Sequence, residues 1–219
     1  MNLDGDIDLD FVARLAHSAV FSDVCDALGY RDQTAAPGTV PLWDDCPVVV
    51  GWARPVVSVE VEEIPDRPYG REIDFIDSLA PGDVVVANVL APAAFWGELF
   101  SAAALGRGAR GTVVDGLVRD TSRIRNLDYP VYARGHRPTD SLGRISIETA
   151  DEPMFFGGVQ LSRGDLVVAD RDGVTIVPRR IAAEAISLAV KKATTESLAR
   201  QLLLDGATLR EAWERFRVL

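Results

Sequence analysis

Lysine is almost missing from this chain of 219 residues: Lys191 and Lys192 are the only two, and both lie near the C-terminus. Schiff-base chemistry needs a lysine desolvated in a pocket, and a polar helical stretch is a poor place for one. Histidine is equally scarce, with only His17 and His136. A three-histidine zinc site cannot be assembled within one chain, and no HExxH motif is present. The two cysteines, Cys25 and Cys46, lack zinc-type spacing and read as reduced, partly buried thiols. No apolar run approaches the length of a membrane span. The segment Met1 to Asp10 is rich in aspartate and has no basic residue. It does not read as a secretory signal, and a cytoplasmic location is the expectation. The formal net charge of −10 repels phosphate backbones, so nucleic acid is not an expected partner. Carboxylates, arginines, backbone groups and a hard metal ion remain as the means of any chemistry.

A hydrophobic content of 47% with 26% charged residues is ordinary for a soluble globular protein. The length suits one domain with a sizeable core. Arg119, Arg123, Arg125, Arg134, Arg137 and Arg144 form the densest basic stretch. In an acidic chain it reads as small-anion binding or interface salt bridges.

Helical spacing marks Asp8 to Ser18, and Ser22 reads as the cap of a second helix that runs to Leu28 and stops at Gly29. Gln33 to Cys46 is a connection. Val48 to Val61 reads as one bent strand or two short ones, and Ile73 to Leu79 as a short helix. Pro81-Gly82-Asp83 is a turn feeding the strand Val84 to Ala87, and Arg163-Gly164-Asp165 echoes it before Leu166 to Asp170. Between them come a helix over Gly97 to Leu105 ended by Gly106, a strand over Thr112 to Asp115, a helix over Thr121 to Leu127, and strands over Val131 to Ala133 and Arg144 to Glu148. Asp172-Gly173 signals a hairpin. Pro178 to Leu203 is a long amphipathic helix, and Thr208-Leu209-Arg210-Glu211 is a capping box opening the last one. With no linker, low-complexity tract or true repeat, the expectation is one α/β domain with a helical C-terminal extension, which often packs on a neighbouring subunit.

Gly106-Arg107-Gly108-Ala109-Arg110-Gly111 is a literal GxGxxG, but a helix precedes it and a strand follows. The dinucleotide fingerprint needs the reverse order, so this one reads as a helix end plus turn. The same objection weakens an adenine-nucleotide or methyl-donor reading. Gly111 to Asp120 is more informative. A buried strand ends there in an adjacent cation and anion, Arg119 and Asp120, and twenty residues separate Arg119 from Glu98. Ligand sites in α/β folds gather at strand ends. Arg119 can hold an anionic substrate, Asp120 a divalent cation, and Glu98 can orient a metal-bound water. Glu98 also opens a helix, whose N-terminus exposes the amides of Leu99 and Phe100 to a carboxylate, while Gly97 permits close approach to the backbone.

Gly97-Glu98-Leu99, Gly111-x-Val-Val-Asp115-Gly116-x-Val-Arg119-Asp120, Ala133-Arg134-Gly135 and Gly164-Asp165 through Gly173 together resemble one family. It is that of the 4-hydroxy-4-methyl-2-oxoglutarate aldolases and the related regulator of ribonuclease E activity. The resemblance spans roughly residues 18 to 215, and its specific part is the acidic-x20-Arg-Asp spacing of the catalytic members. It implies a swivelling β/β/α fold like the phosphohistidine domain, with a core over about 18–178 and C-terminal helices over about 179–217. It implies trimers, or hexamers of two trimers, with interfacial sites. It implies Mg²⁺ or Mn²⁺ on Asp120, substrate binding and enolate stabilisation by Arg119, and a water oriented by Glu98. The pyruvyl carboxylate would lie on the amides of Leu99 and Phe100, and Glu196 would come from a neighbouring C-terminal helix. The implied activity is class II pyruvate aldolase cleavage of 4-hydroxy-2-keto acids, with oxaloacetate decarboxylation beside it. The alternative is a non-catalytic regulator that binds a ribonuclease or helicase. Well-known aldolases of the group often carry Asp where this chain has Glu98.

Overall fold

The computed structural model describes residues 7–218. Its centre is one long strand, β2 (Val49–Glu60), with no break in twelve residues. On one side it pairs in parallel with β3 (Asp83–Leu90), which pairs in parallel with β5 (Gly111–Val118), which pairs in parallel with β6 (Val131–His136). Its other side is shared. β10 (Leu166–Asp170) runs antiparallel along Val49 to Trp52, and β7 (Ile145–Ala150) runs antiparallel along Val56 to Glu60. Pro55, which has no N–H to give, falls at the handover between those partners. β1 (Val40–Pro41) closes one edge on β6, and β11 (Gly173–Val177) closes the other as the Asp172-Gly173 hairpin partner of β10.

The strands are buried on both faces, which is why they read as valine runs rather than alternations. In β3, Val85, Ala87 and Val89 pack into one core cluster and Val84 and Val86 into another. The first cluster lies under α3 (Gly70–Asp77), α4 (Glu98–Gly106) and α5 (Thr121–Asn126). The second is filled by Met154, Phe156, Val159 and Leu161 from the hairpin β8 (Met154–Phe156)–β9 (Val159–Leu161). A third joins the sheet to α1 (Leu9–Leu15), α2 (Ser18–Ala27) and the first half of α6 (Arg179–Leu204). The result is a mixed α/β domain with a nearly closed, barrel-like sheet. Among the described residues, no helix is long and apolar enough to cross a membrane.

Several sequence expectations need correction. The second helix starts at Ser18, not Ser22. Its N-terminus is set by a tertiary contact: Ser18 donates its backbone N–H (2.6 Å) and its hydroxyl (2.7 Å) to the buried Asp170 carboxylate at the end of β10. The helix α4 runs through Gly106, and Gly108, at φ +81°, takes the left-handed turn instead. The short strand β4 (Ala94–Trp96) and the β8–β9 hairpin were not expected. The capping box at Thr208 is formed in full and opens α7 (Leu209–Phe216).

Candidate active site

Two strand ends bring the acid and the Arg-Asp pair together. β4 pairs in parallel with β5, with Trp96 opposite Val118, and the Arg119 N–H donates to the Trp96 carbonyl at 2.9 Å. Gly97-Glu98 and Arg119-Asp120 are the next residues of these strands, so they emerge side by side. β6 lies on the other flank of β5, with His136 opposite Val118, and the loop after it leaves at the same end. That loop is laced to β4: Ala94 N–H donates to the Thr139 carbonyl (3.0 Å), and Arg137 donates to the Pro92 carbonyl (2.8 Å). Asp140 is thereby held at the mouth.

These elements line a cleft of about 390 Å³, within the size range of small-molecule sites. Gly97, Glu98, Leu99, Phe100, Arg119 and Asp120 all contribute to it, joined by Tyr69, Ile73, Asp140 and Ser141. Every residue read as catalytic, substrate-binding or metal-ligating lines this cleft except Glu196. That residue lies on α6, pairs with Lys192 at 2.9 Å, and lines a different cleft with Asp23 and His17.

The local geometry frees the polar groups. Asp120 occupies the N-cap position of α5 at φ +60°, a left-handed conformation that aspartate tolerates. Its carboxylate does not cap that helix. Instead Oδ2 turns back and accepts the Glu98 N–H at 3.2 Å, with Arg119 Nε at 3.6 Å. Gly97 makes this approach possible, because a Cβ there would stand 2.8 Å from Asp120 Oδ2 and 3.3 Å from Arg119 Cγ. The first turn of α4 has no side-chain cap. The N–H groups of Leu99 and Phe100 have no hydrogen-bond acceptor among the described residues. Behind them the turn is fixed: the Trp96 indole N–H donates to Ser101 Oγ (2.8 Å), and that hydroxyl donates to the Gly97 carbonyl (3.0 Å).

Arg119 is held from the far side. Its NH1 pairs with Asp140 Oδ1 at 3.0 Å, and the other oxygen of Asp140 accepts the Tyr69 hydroxyl at 2.6 Å. Partial burial pushes the Asp140 carboxyl up, but the Tyr69 hydroxyl, the Arg119 guanidinium and the Ser141 and Leu142 amides together hold it below the usual range. Burial, then Asp140 itself, raise the Tyr69 hydroxyl. Sequence reading missed both residues. The available signal was topological: a polar loop following the strand next to β5 must open at the same sheet end as Arg119.

The other arginines of the basic stretch do not join the cleft. Arg134 pairs with Asp115, Arg137 reaches Pro92, and Arg144 donates to the Asp140 carbonyl at 3.2 Å. Cys25 and Cys46 are free thiols, and burial pushes both up to about 11, so they stay protonated at neutral pH.

Among the described residues, no group of three or more His, Cys, Asp or Glu side chains is gathered as a metal-ligand set. That excludes a closed, zinc-type cage there. It leaves room for a hard cation that keeps most of its water and takes one or two carboxylates, as Mg²⁺ does. Asp120 Oδ1 and the Glu98 carboxylate, neither with a hydrogen-bond or ion-pair partner among the described residues, fit that pattern.

This arrangement gathers one guanidinium, three carboxylates and two helix-terminal amides in a single cleft at the C-terminal ends of parallel strands. The chain belongs to the RraA-like family, whose aldolase/RraA model matches residues 21–176. It is 27% identical over 203 residues to a Halalkalibacterium halodurans protein that carries the provisional name 4-hydroxy-4-methyl-2-oxoglutarate aldolase, covering 91% of each chain. It is 30% identical over 150 residues to protein DlpA of Legionella pneumophila, a match that takes in 68% of this chain but only 24% of the length of DlpA. The solved structure of Streptomyces coelicolor RraAS2, described as an unusual member of the RNase ES inhibitor RraA protein family, superposes with a TM-score of 0.72. The two share 29% identity over 87% of this chain and 96% of the other.

Proposed function

We propose that the protein is a divalent-cation-dependent, class II pyruvate aldolase. It cleaves 4-hydroxy-2-keto acids such as 4-hydroxy-4-methyl-2-oxoglutarate and also decarboxylates oxaloacetate. The supporting observation is the convergence, on one cleft, of a cation (Arg119), two carboxylates without ion-pair duties elsewhere (Glu98, Asp120) and two unsatisfied helix-terminal amides (Leu99, Phe100).

In this reading the amides of Leu99 and Phe100 receive the carboxylate of the keto acid, at the positive end of α4. That fixes the 2-keto oxygen against the Arg119 guanidinium. Glu98, through an ordered water, takes the proton of the C4 hydroxyl. The C4–O bond becomes a carbonyl, the C3–C4 bond breaks, and its electron pair passes to C3 as a pyruvate enolate. Arg119 already faces the oxygen on which the charge develops, and such preorganised stabilisation is usually the dominant catalytic term. Protonation at C3 gives pyruvate. Loss of CO₂ from oxaloacetate leads to the same enolate. A Mg²⁺ or Mn²⁺ ion on Asp120 supplies Lewis-acid polarisation of the keto oxygen when bound.

The proposal includes a cytoplasmic homotrimer or hexamer in which Glu196 of one copy completes the site of another. Leu198, Leu204, Leu209 and Trp213, on α6 and α7, are exposed apolar side chains in the region such packing would cover. Purified protein with Mg²⁺ is expected to release pyruvate from 4-hydroxy-4-methyl-2-oxoglutarate or oxaloacetate, and EDTA or Asp120→Ala to abolish it. Undiminished turnover by Asp120→Ala rules the mechanism out. The likeness to RraAS2 supports a second reading, a non-catalytic regulator of a ribonuclease or helicase. Stable co-purification with such an enzyme, together with no pyruvate from any 4-hydroxy-2-keto acid, would favour it.

A further inference from the structure

We propose that Ser101, which does not itself line the cleft, is a positioning residue for the substrate carboxylate. Its hydroxyl, fixed by the Trp96 indole, holds the first turn of α4 so that the amides of Leu99 and Phe100 stay aimed at that group. This rests on the aldolase reading above, in which those amides receive the carboxylate.

A helix N-terminus is normally tied down from in front. A Ser, Thr, Asp or Asn at the N-cap accepts the N–H of the second or third helical residue. In α4 those residues are Leu99 and Phe100, and the N-cap is Gly97, which has no side chain to offer. An ordinary cap would fill the two donors assigned to the substrate. Leaving them open removes the usual restraint, and does so at glycine, the residue with the widest backbone freedom. The restraint has to come from behind.

Ser101 supplies it. The Gly97 carbonyl accepts both the N–H and the hydroxyl of Ser101, each at 3.0 Å. The same hydroxyl accepts the Trp96 indole N–H at 2.8 Å, so its direction is set and the bonds polarise one another. Trp96 is anchored in its turn: it lies opposite Val118, and its carbonyl accepts the Arg119 N–H at 2.9 Å. Its ring also meets Phe100 edge-on, with centroids 5.6 Å apart. One residue thus ties the carboxylate-binding turn and Arg119 to the same strand end. Ser101 and Trp96 are 0% and 1% exposed, so this relay lies inside a single chain and does not depend on a neighbouring copy. A serine hydroxyl bonded four residues back is common in helices. Here the carbonyl it holds belongs to the N-cap itself, and the indole holds the hydroxyl.

The test measures kcat and KM for oxaloacetate and 4-hydroxy-4-methyl-2-oxoglutarate with Mg²⁺, well below the melting transition. Ser101→Ala is expected to raise KM by about tenfold and to change kcat by less than about twofold, the pattern of binding lost equally from ground and transition states. A role in stability alone would lower the melting temperature and leave KM where it is. Trp96→Phe, which removes the indole N–H and keeps a ring, is expected to raise KM in the same direction. The double variant should be little worse than the poorer single one, because both act through one relay. An unchanged KM in folded Ser101→Ala overturns the inference and leaves the aldolase reading standing. So do KM effects of the two variants that multiply in full. Should Ser101→Ala not fold, Trp96→Phe decides by the same criterion. No pyruvate from either substrate with the wild type overturns both.

Discussion

The Asp140 carboxylate bridges Arg119 and Tyr69, with Oδ1 on the guanidinium at 3.0 Å and Oδ2 on the phenol at 2.6 Å. A bridging carboxylate of this kind removes rotamer freedom from a long side chain whose aim matters, and displacements of an ångström are costly in active sites. Asp140→Asn is therefore expected to lower kcat by about tenfold with the fold intact. Tyr69→Phe should lower it less, because it leaves the Arg119 contact in place. The pH dependence has a definite sign. The folded-state pKa of Asp140 is depressed, so its contribution to stability is present above the ordinary aspartate value of about 3.9 and fades as pH falls through its folded value. Thermal melts of the wild type and Asp140→Asn should differ at neutral pH and converge below about pH 4.

Gly97→Ala separates folding from function. The backbone at Gly97 is extended, at φ −154°, a conformation open to any residue. A Cβ there would nonetheless lie 2.8 Å from Asp120 Oδ2. The obstructed atom is the end of a side chain, so the carboxylate can swing aside at little cost in stability. It then loses the Glu98 N–H and its place beside Arg119. The expectation is a melting temperature within a few degrees of wild type and a fall in kcat/KM of about a hundredfold. A variant with normal activity would show that the position of Asp120 does not matter.

Much of the frame was legible in the sequence because buried parallel strands and capped helices leave local marks: valine runs, the Asp172-Gly173 turn, the Thr208 to Glu211 box. Glu98, Arg119 and Asp120 were singled out by their places at the ends of predicted elements and by the family spacing, but the β4–β5 pairing that brings them together was not foreseen. What escaped was set by contacts distant in the chain. The start of α2 depends on Asp170, 152 residues from Ser18. Tyr69 and Asp140 meet across 71 residues, and neither sits in a periodic segment. β4, with three residues, is too short to show a period and exists because Ala94 and Trp96 find Leu117 and Val118. Glu196 was read from family resemblance alone. Within one chain it lies elsewhere, paired with Lys192, so no local pattern could have joined it to the cleft.

Arg54 carries a prediction about stability rather than chemistry. Its side chain, 3% exposed, projects from β2 and gives NH1 to Asp83 at 2.7 Å and Nε to Asp151 at 2.7 Å. It also gives NH2 to the Ser78 hydroxyl at 2.8 Å. One guanidinium thus ties the central strand to the start of β3, the end of α3 and the loop after β7. Removing it leaves Asp83 without a countercharge, while Asp151 keeps Arg163 at 3.0 Å, and breaking a buried pair in this way costs about 3–5 kcal/mol. For a domain of this size, Arg54→Ala should lower the melting temperature by roughly 6–20 °C. Arg54 does not line the candidate cleft, so kcat measured well below the transition should be nearly unchanged.

Arg119→Lys tests the chemistry where charge alone cannot answer. Lysine retains a positive charge but presents a compact ammonium on a flexible stem, without the planar fork that lets one side chain face Asp140, Asp120 and a substrate oxygen at once. In the wild type NH1 is fixed by Asp140 while Nε stays 3.6 Å from Asp120, so the group is aimed by two anions before substrate arrives. An ammonium would settle on one of those carboxylates and leave the developing enolate oxygen uncovered. The expected loss in kcat is on the order of a hundredfold, comparable to deleting one preorganised oxyanion donor. KM should move less, because the substrate carboxylate is assigned to the amides of Leu99 and Phe100. A large rise in KM with kcat unchanged would instead make Arg119 a binding residue for the ground state. The step that stabilises the enolate would then have to be sought elsewhere in the cleft.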